Sequence, residues 1–398
     1  MIKRVVLAGV ALLFCGGLMS GVEIVGPTIK IGGIFPITGR GADCGWAEHI
    51  GAQLAVNEIN AAGGVNGVPI ELIVCDSAGR PEEAVALLRR LAYGDKVLAV
   101  VGPHYSSEAE VTFPAGNLIG IVQIAVASSK PGISAANRPW PFRNTITEDK
   151  IAMPVVKALI QDFGIKTVAI MYDSKEAVCA SLGRDVFPPV LEAEGLVILN
   201  KDAPITFETG KPYFMAEITR LKALNPDAVM LGALGTDALN IVSEARRQGL
   251  MVPFFGGAPL FEGYLPQRGG EMVNNVYGGT IWYYEDPSEK NQRFVQGYAE
   301  LASKMYPQAS PIPTYYAANA YDAIYMLKEA IEKMGITNKP EDLAQDRAKI
   351  RDYLAQLRDF DGLASRGFNE VGDGIKNVYV LKTFNGKWEL VLTWSYTE

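Results

Sequence analysis

The chain has 398 residues, of which 48% are hydrophobic and 20% are charged. This length favours two domains over one, and the composition excludes a disordered chain. The formal net charge of −7 argues against nucleic-acid binding, because a phosphate backbone requires a basic surface. Only two histidines are present, His49 and His104, so neither a histidine-based metal site nor a catalytic triad is expected. We therefore predict no cofactor and no bound metal.

The N-terminal segment has the pattern of a secretory signal peptide. Lys3 and Arg4 precede the apolar run 5–14, and small residues are frequent at positions 16–21. The run is shorter than the roughly 20 residues of a membrane-spanning helix, and no later stretch qualifies as one. We predict that residues 1–27 are removed and that the mature protein is periplasmic.

The cysteines give two further predictions. Cys15 follows the apolar run and would permit a lipid anchor, but Phe14 stands where a small residue is expected, so an unanchored protein is favoured. Cys44, Cys75 and Cys179 remain in the mature chain, and an odd number excludes a complete disulfide framework. One disulfide with one free thiol is possible, and three buried free thiols are favoured.

Strand and helix patterns alternate through the first part of the chain. The predicted strands span residues 30–35, 70–75, 97–101 and 119–126. The predicted helices span residues 46–61 and 82–93, and a further helix begins at Ser107. This βαβα order is typical of a parallel sheet with helices on both faces.

The same order restarts after residue 149. Four strands are predicted at 167–172, 196–199, 228–231 and 253–255. Helices are predicted from the end of the first of these strands to residue 194, and at 213–224 and 237–248. We therefore predict an α/β protein with two Rossmann-like lobes in tandem.

The C-terminal part departs from this order. Long helices are predicted at 291–305 and 315–334, with a shorter one at 349–357. A hairpin, 378–384 with 388–393, follows around the turn dipeptide Asn385-Gly386. These elements add to the two lobes, so the chain crosses between the lobes more than once. A ligand would then lie between the lobes, near the C-terminal ends of the strands.

Two serine-bearing loops are the best local signals. The loop 102–107 joins a strand to a helix, and Ser107 with Glu110 fits a capping box. The loop 127–131 follows the next strand and carries Ser128 and Ser129. Adjacent strands would bring both loops to one sheet edge, where hydroxyls and a helix N-terminus can hold a carboxylate. An ordinary capped helix and an ordinary turn are the alternatives.

The other motifs do not indicate an enzyme. The glycine-rich loop 39–45 has one residue too many for a dinucleotide-binding turn, and we interpret it as a flexible loop over a cleft. No Gly-x-Ser-x-Gly nucleophile motif is present. We therefore expect binding without catalysis.

Several segments together resemble the periplasmic leucine/isoleucine/valine-binding protein family. They are KIGGIFPITG at 30–39, AQLAVNEINAAGGVNG at 52–67, the loop 102–107, Phe142-Arg143, and the segments 229–250 and 315–325. The resemblance covers the chain from about residue 28 to its end.

The resemblance implies the type I periplasmic binding protein fold, in which a three-segment hinge joins the lobes. Lobe 1 would comprise residues 28–146 and 280–373, and lobe 2 residues 147–279 and 374–398. It implies a monomer that binds a small-molecule carboxylate and delivers it to the permease of an ABC transporter. An extracellular ligand sensor is the alternative role.

The resemblance also implies which residues bind the ligand. In family members that bind amino acids, a serine and the following loop hold the carboxylate, and these positions match Ser106, Ala127 and Ser129. The acidic group that holds the ammonium falls on Ala258, although a different placement of that loop would bring Glu262 there.

The tyrosines of the family site are replaced as well. Their positions fall on Leu234, on Cys44 and near Ala177-Val178. A buried ammonium without a counter-charge would cost several kcal/mol. We therefore predict a carboxylate without an α-amino group, and favour an aromatic acid.

Alternatives for the ligand stay open. A branched 2-oxo acid or short fatty acid is the close competitor, and a branched-chain amino acid or an amide is the further alternative. Trp46 and Tyr105 lie on cleft loops, where they could stack on an aromatic ring or simply pack on the surface of their lobe.

Overall fold

A computed structural model describes residues 23–395, which form two α/β lobes. Most of the predicted signal peptide, with Cys15, lies outside the described residues. Among residues 23–395, no helix is both long enough and apolar enough to cross a membrane. Cys44, Cys75 and Cys179 are free and buried, which confirms the prediction of three buried thiols.

The first sheet is parallel and has five strands in the order β2-β1-β3-β4-β5. Its strands are β1 (Ile29–Phe35), β2 (Ile70–Asp76), β3 (Ala99–Val101), β4 (Val122–Ala125) and β5 (Pro141–Arg143). The first four confirm the predicted strands. β5 is absent from the predicted strands, because it has only three residues and starts at a proline, a residue that cannot donate to the ladder.

The second sheet has eight strands. They are β6 (Thr167–Asp173), β7 (Val197–Ile198), β8 (Ile205–Phe207), β9 (Ala228–Gly232), β10 (Phe254–Gly256), β11 (Val276–Thr280), β12 (Val378–Phe384) and β13 (Lys387–Trp394). The order is β7-β6-β9-β10-β11-β12-β13, with β8 beside the far end of β6. Strands up to β11 pair in parallel, whereas the predicted hairpin β12–β13 adds antiparallel strands at one edge. Two strands, β8 and β11, were not predicted, because one is only three residues long and the other contains two glycines.

Thirteen α-helices flank these sheets within the described residues. Ten belong to the alternating part: α1 (Ala42–Ala61), α2 (Pro81–Arg89), α3 (Ser106–Ile119), α4 (Ile133–Ala136), α5 (Glu148–Phe163), α6 (Ala177–Ser181), α7 (Phe187–Ala193), α8 (Met215–Leu224), α9 (Gly235–Arg247) and α10 (Leu265–Gly269). Three follow: α11 (Glu289–Met305), α12 (Tyr315–Lys333) and α13 (Leu343–Gln356). The helix predicted up to residue 194 is divided, because a wide turn at Leu182–Val186 and two prolines separate α6 from α7.

The C-terminal helices pack against the first lobe although they follow the second in sequence. A side chain on Gly51 of α1 would lie 2.2 Å from the carbonyl oxygen of Ala317 of α12, so the two backbones approach closely. The alanines of α12 at positions 317, 318 and 320 are fully buried. Small residues on both helices therefore permit this contact, and the chain crosses between the lobes three times: after β5, after β11 and before β12.

A buried polar network ties two of the crossings to α12. Asn319 donates to the carbonyl oxygen of Val126 (2.7 Å), and its Oδ1 accepts from Nζ of Lys376 (2.9 Å). The Asn319 carbonyl oxygen accepts from the side-chain amide of Asn144 (2.8 Å). Burial lowers the pKa of Lys376 to about 7, against the effect of Asp322. One asparagine thus fixes the first and third crossings relative to lobe 1.

We expect Asn319→Ala to lower the unfolding free energy by about 2 kcal/mol, because it removes one of the three hydrogen-bond acceptors of Lys376 and the side-chain donor to the buried Val126 carbonyl oxygen. Urea denaturation followed by circular dichroism measures this loss. The matched control is Asn57→Ala on the exposed face of α1, for which a change below about 0.5 kcal/mol is expected. Equal effects of the two variants would contradict the role given to the network.

Candidate functional site

The C-terminal ends of the strands of both lobes meet at an interlobe cleft. Tyr105, after β3, donates from its hydroxyl to Oε1 of Glu262, after β10, over 2.8 Å. Arg40, after β1, pairs with Asp237 of α9 over 2.5 Å. The predicted location of a ligand site, between the lobes at the strand ends, is therefore where polar groups of both lobes converge.

The two serine loops are neighbours, because β3 pairs with β4. Ser106 is the first residue of α3, and its Oγ accepts from the backbone N–H of Lys130 over 3.3 Å. Ala127 is half-buried in the second loop. Ser129 is buried and donates from Oγ to Oε1 of Glu148 over 2.5 Å. The structure thus brings Ser106, Ala127 and Ser129 to one edge of the sheet.

The helix after the first serine loop begins differently from the prediction. The predicted capping box of Ser107 with Glu110 is wrong, because α3 begins one residue earlier. Glu108 accepts from the backbone N–H of Tyr105 over 3.0 Å and so completes the helix start. Ser107 instead donates from its hydroxyl to Oε2 of Glu176 in lobe 2 over 2.9 Å.

A buried arginine holds the second serine loop in place. Arg143 of β5 donates to the carbonyl oxygens of Ser128 (3.1 Å) and Lys130 (2.5 Å). It also pairs with Asp373, close to the third crossing, over 2.7 Å. The Phe142-Arg143 pair that contributes to the family resemblance therefore has a structural role behind the site.

Glu148 connects the second serine loop to lobe 2. Its Oε2 accepts from the backbone N–H of Ala258 over 3.2 Å, while Oε1 accepts from Ser129. A side chain on Gly257 would lie 2.0 Å from Oε2, so any larger residue there would have to move the Glu148 carboxylate. Burial raises the pKa of Glu148 to about 7. Ala258 therefore takes part in the cleft through its backbone N–H.

Tyr105 and Cys44 come together around the loop that carries Glu262. A side chain on Gly41 would lie 2.2 Å from the Tyr105 hydroxyl, which explains one glycine of the loop 39–45. Cys44 interacts with the backbone N–H of Gly263, and burial raises the pKa of its thiol well above the usual range. Both residues therefore contact the same segment of lobe 2.

Leu234 and Trp46 make packing contacts with other parts of the protein. Leu234 is buried at the residue before α9, beside Gly235, which lies against the backbone of Glu262. Trp46 donates from Nε1 to the carbonyl oxygen of Ile37 over 3.0 Å and stacks on Tyr306 at 5.6 Å between ring centres. The Trp46 ring thus packs within the surface of its lobe.

The assignment of the family's acidic position to Ala258, with Glu262 as the alternative, stays a prediction, and the structure places the Glu262 side chain at the cleft. Glu262 is only 3% exposed and lies between the lobes. The next residue, Gly263, adopts a φ of +72°, a left-handed conformation that turns the loop so that this glutamate, four residues after Ala258, reaches the cleft. The Glu262-Gly263 pair was the available signal for this turn, but the conformation of a loop cannot be predicted from a single sequence.

Buried glutamates surround the cleft. They are Glu48, Glu108, Glu148, Glu176 and Glu262. Four of them, all except Glu148, have one carboxylate oxygen without a hydrogen-bond partner among residues 23–395. Burial raises the pKa of each, to about 7 for Glu148 and Glu176. An unpaired buried carboxylate is costly, so this cleft favours a ligand that brings a proton donor or a positive charge.

Within the described residues, Arg40 and His104 act on the acids around Glu262, and Arg143 acts on Glu148. Arg40 pairs with Asp237. Burial alone would lower the pKa of His104, but Glu48, whose Oε1 lies 2.5 Å from Nδ1, and then Glu262 raise it to about 9. His104 is therefore a cation at neutral pH. Within the described residues, no group of three or more His, Cys, Asp or Glu could hold a metal ion.

We expect the two histidines to titrate far apart. His104 should stay protonated up to about pH 9, whereas burial lowers the pKa of His49 to about 4. Because the folded pKa of His104 lies above the ordinary 6.5, its stabilising effect is complete below that pH and is lost towards pH 9.

Two-dimensional NMR of the imidazole nitrogens measures both pKa values. Glu48→Gln should lower the pKa of His104 and leave that of His49 unchanged. Titration of His104 near pH 6.5 in the unmodified protein would contradict the charge pair.

Comparisons with known proteins agree with this architecture. A family model described as periplasmic binding protein matches residues 28–387. The chain is 28% identical over 319 residues to the Leu/Ile/Val-binding protein BraC3 of Rhizobium johnstonii, covering 79% of this chain and 82% of the relative.

Two solved structures have similar folds. The substrate-binding protein LivJ of Streptococcus pneumoniae, in complex with isoleucine, is 27% identical with a TM-score of 0.79, covering 92% of this chain and 98% of that one. A solute-binding protein of an ABC transporter from R. palustris, in complex with 4-hydroxybenzoate, is 20% identical with a TM-score of 0.78, covering 92% of this chain and 97% of that one.

Proposed function

The chain belongs to the periplasmic binding protein family and is the substrate-binding component of an ABC transporter, and from this premise we propose that its ligand is an amino acid. The family binds small molecules outside the cytoplasm and works with transporter permeases; it is a family of transport proteins, not of enzymes. The ligand's ammonium would lie at Glu262, and its carboxylate would face the two serine loops.

The free Oε2 of Glu262 is the observation that carries the proposal. This oxygen is buried and has no partner within the described residues, while Oε1 is held by Tyr105. An ammonium group would supply both the missing hydrogen bond and a counter-charge, which makes ionisation of the buried carboxylate favourable. LivJ, which binds isoleucine, has the same fold.

The acid-rich surroundings favour a zwitterion over a simple anion. Glu148 already accepts from Ser129, one of the residues expected to hold the carboxylate, and Glu176 accepts from Ser107, the residue after Ser106. A ligand carboxylate therefore requires that these glutamates move away or take up a proton from solvent. A ligand that carries its own positive charge reduces the repulsion that such a displacement produces.

An aromatic acid without an amine is the second candidate. Its support is the replacement of polar family positions by Ala258 and Leu234, together with the pKa of about 7 for Glu148. A protonated Glu148 could donate to a carboxylate. The R. palustris protein shows that this fold accommodates 4-hydroxybenzoate.

Isothermal titration calorimetry with Glu262→Gln separates the two candidates. Leucine, isoleucine, phenylalanine, benzoate and 4-hydroxybenzoate form the ligand panel. For an amino acid, loss of the charge should weaken binding by about 3 kcal/mol, or roughly a hundredfold. The control is Glu208→Gln, which changes an exposed glutamate on lobe 2 and should leave affinity unaltered.

The two outcomes point in opposite directions. Binding of an aromatic acid with unchanged or tighter affinity in Glu262→Gln, and no binding of any amino acid, would replace the first candidate by the second. Amino-acid binding that is weak in Glu262→Gln, but unaltered in the Glu208→Gln control, would support the first candidate.

The periplasmic location is part of the proposal. Residues 1–27, including Cys15, would be removed on export, so the exported protein would carry no lipid anchor. Mass spectrometry of the protein recovered from the periplasm of an expressing bacterium should give the mass of an unlipidated chain that lacks this segment. A retained N-terminus or a mass increase from acyl chains would contradict it.

A further inference from the structure

An aromatic cavity lies beside the acidic cleft. Its walls include Phe261, Tyr264, Trp282, Tyr283, Tyr315 and Trp388, and its cavity volume is about 40 Å³ within a wider hollow of about 460 Å³ that includes open solvent. Phe261 and Trp388 stack on each other at 4.2 Å between ring centres. Flat aromatic walls are suited to a planar apolar group.

The cavity adjoins the site assigned to the ligand's charged end. Phe261, on its wall, directly precedes Glu262. Tyr315, on the opposite wall, is the first residue of α12. Burial and then the Glu148 carboxylate raise the pKa of Tyr315 well above its usual range, so its hydroxyl lies in the field of the cleft acids. One ligand can therefore extend from the cleft into the cavity.

The walls come from both lobes. Phe261 and Tyr264 follow β10 of the second lobe, whereas Ile312 and Thr314 precede α12, which packs on the first. Movement of the lobes relative to each other therefore widens or narrows the cavity. A group held there would contact both lobes.

Two hydroxyl groups give the cavity a polar feature. Oγ1 of Thr314 and the hydroxyl of Tyr264 are buried and have no hydrogen-bond partner among residues 23–395 that meets ordinary geometry. The Tyr264 hydroxyl lies near that of Tyr298, and the two hydroxyls interact, although their geometry falls outside that of an ordinary hydrogen bond. Burial raises the pKa of Tyr264 well above the usual range, so it remains a neutral donor and acceptor.

We propose that the aromatic cavity binds a planar ring bearing a hydroxyl group, which exchanges hydrogen bonds with Tyr264 and Thr314. The inference rests on the proposed function, since the ring would be the far end of the ligand held by the cleft. It makes a hydroxylated aromatic ligand the preferred substrate class. A purely aliphatic side chain would leave both hydroxyls unpaired, which discriminates against it.

The test uses a ring without any charged group, so that it does not depend on how the cleft binds acids. p-Cresol and toluene are compared by ligand-observed saturation-transfer NMR at millimolar concentration. p-Cresol should bind about tenfold more tightly than toluene, and Tyr264→Phe should remove most of this difference. Toluene binding should be unaffected by that variant.

A second variant fills the cavity. Ile312→Trp places a large ring in the loop before α12 and should abolish p-cresol binding. Leu118→Trp, at an exposed position of α3, is the matched control and should bind p-cresol as the unmodified protein does. Circular dichroism and thermal unfolding establish that each variant is folded.

The outcomes separate this inference from the proposed function. Absence of p-cresol binding, equal binding of toluene, or equal binding in Ile312→Trp would overturn the inference, whichever acid the protein binds. Binding of p-cresol with the expected variant effects would support the inference even if no amino acid in the calorimetric panel bound, which would refute the proposed function alone.

Discussion

The desolvation of carboxylates between the lobes is the constraint on which the site depends. Each buried glutamate of the cleft must find a hydrogen-bond donor, a cation or a proton, because an isolated charge in a low-dielectric region is costly. Glu48 has His104, and Asp237 has Arg40. Glu262 accepts one hydrogen bond, from the Tyr105 hydroxyl, and the charges of His104 and Arg40 act on it without a direct ion pair. Its Oε2 has no hydrogen-bond partner among residues 23–395, so it is the oxygen that a ligand donor can satisfy.

Contacts at the hinge hold the polar groups of the cleft in fixed positions. Asn319 joins the first and third crossings to α12, and Arg143 joins the second serine loop to Asp373. These contacts hold the donors of lobe 1 in one arrangement that faces the acids of lobe 2. The bond between Tyr105 and Glu262 joins the two lobes, so any movement of one lobe relative to the other would change it.

Periodicity predicts the lobes well and the acids of the site poorly. The long strands and helices have strong apolar patterns, and the adjacency of the serine loops follows from parallel strand order. The position of Glu262 depends on the left-handed turn at Gly263, and the partners of Glu148 and Glu176 lie in the other lobe. Such contacts depend on how the two lobes pack against each other. No local pattern in a single sequence predicts that packing. Short strands such as β5 and β8 are similarly fixed by the sheets they join.

The same geometry shows how ligand charge and closure are linked. Glu148 of lobe 2 reaches the hydroxyl of Ser129, which the family resemblance assigns to the ligand carboxylate, and Glu176 reaches that of Ser107, next to Ser106. Because burial raises both pKa values to about 7, closure without ligand becomes more costly as pH rises from the ordinary glutamate range towards 7. A ligand ammonium supplies the positive charge that protons otherwise supply. A cationic group on the ligand therefore favours the closed form at neutral pH, whereas an anion alone adds to the repulsion that opposes it.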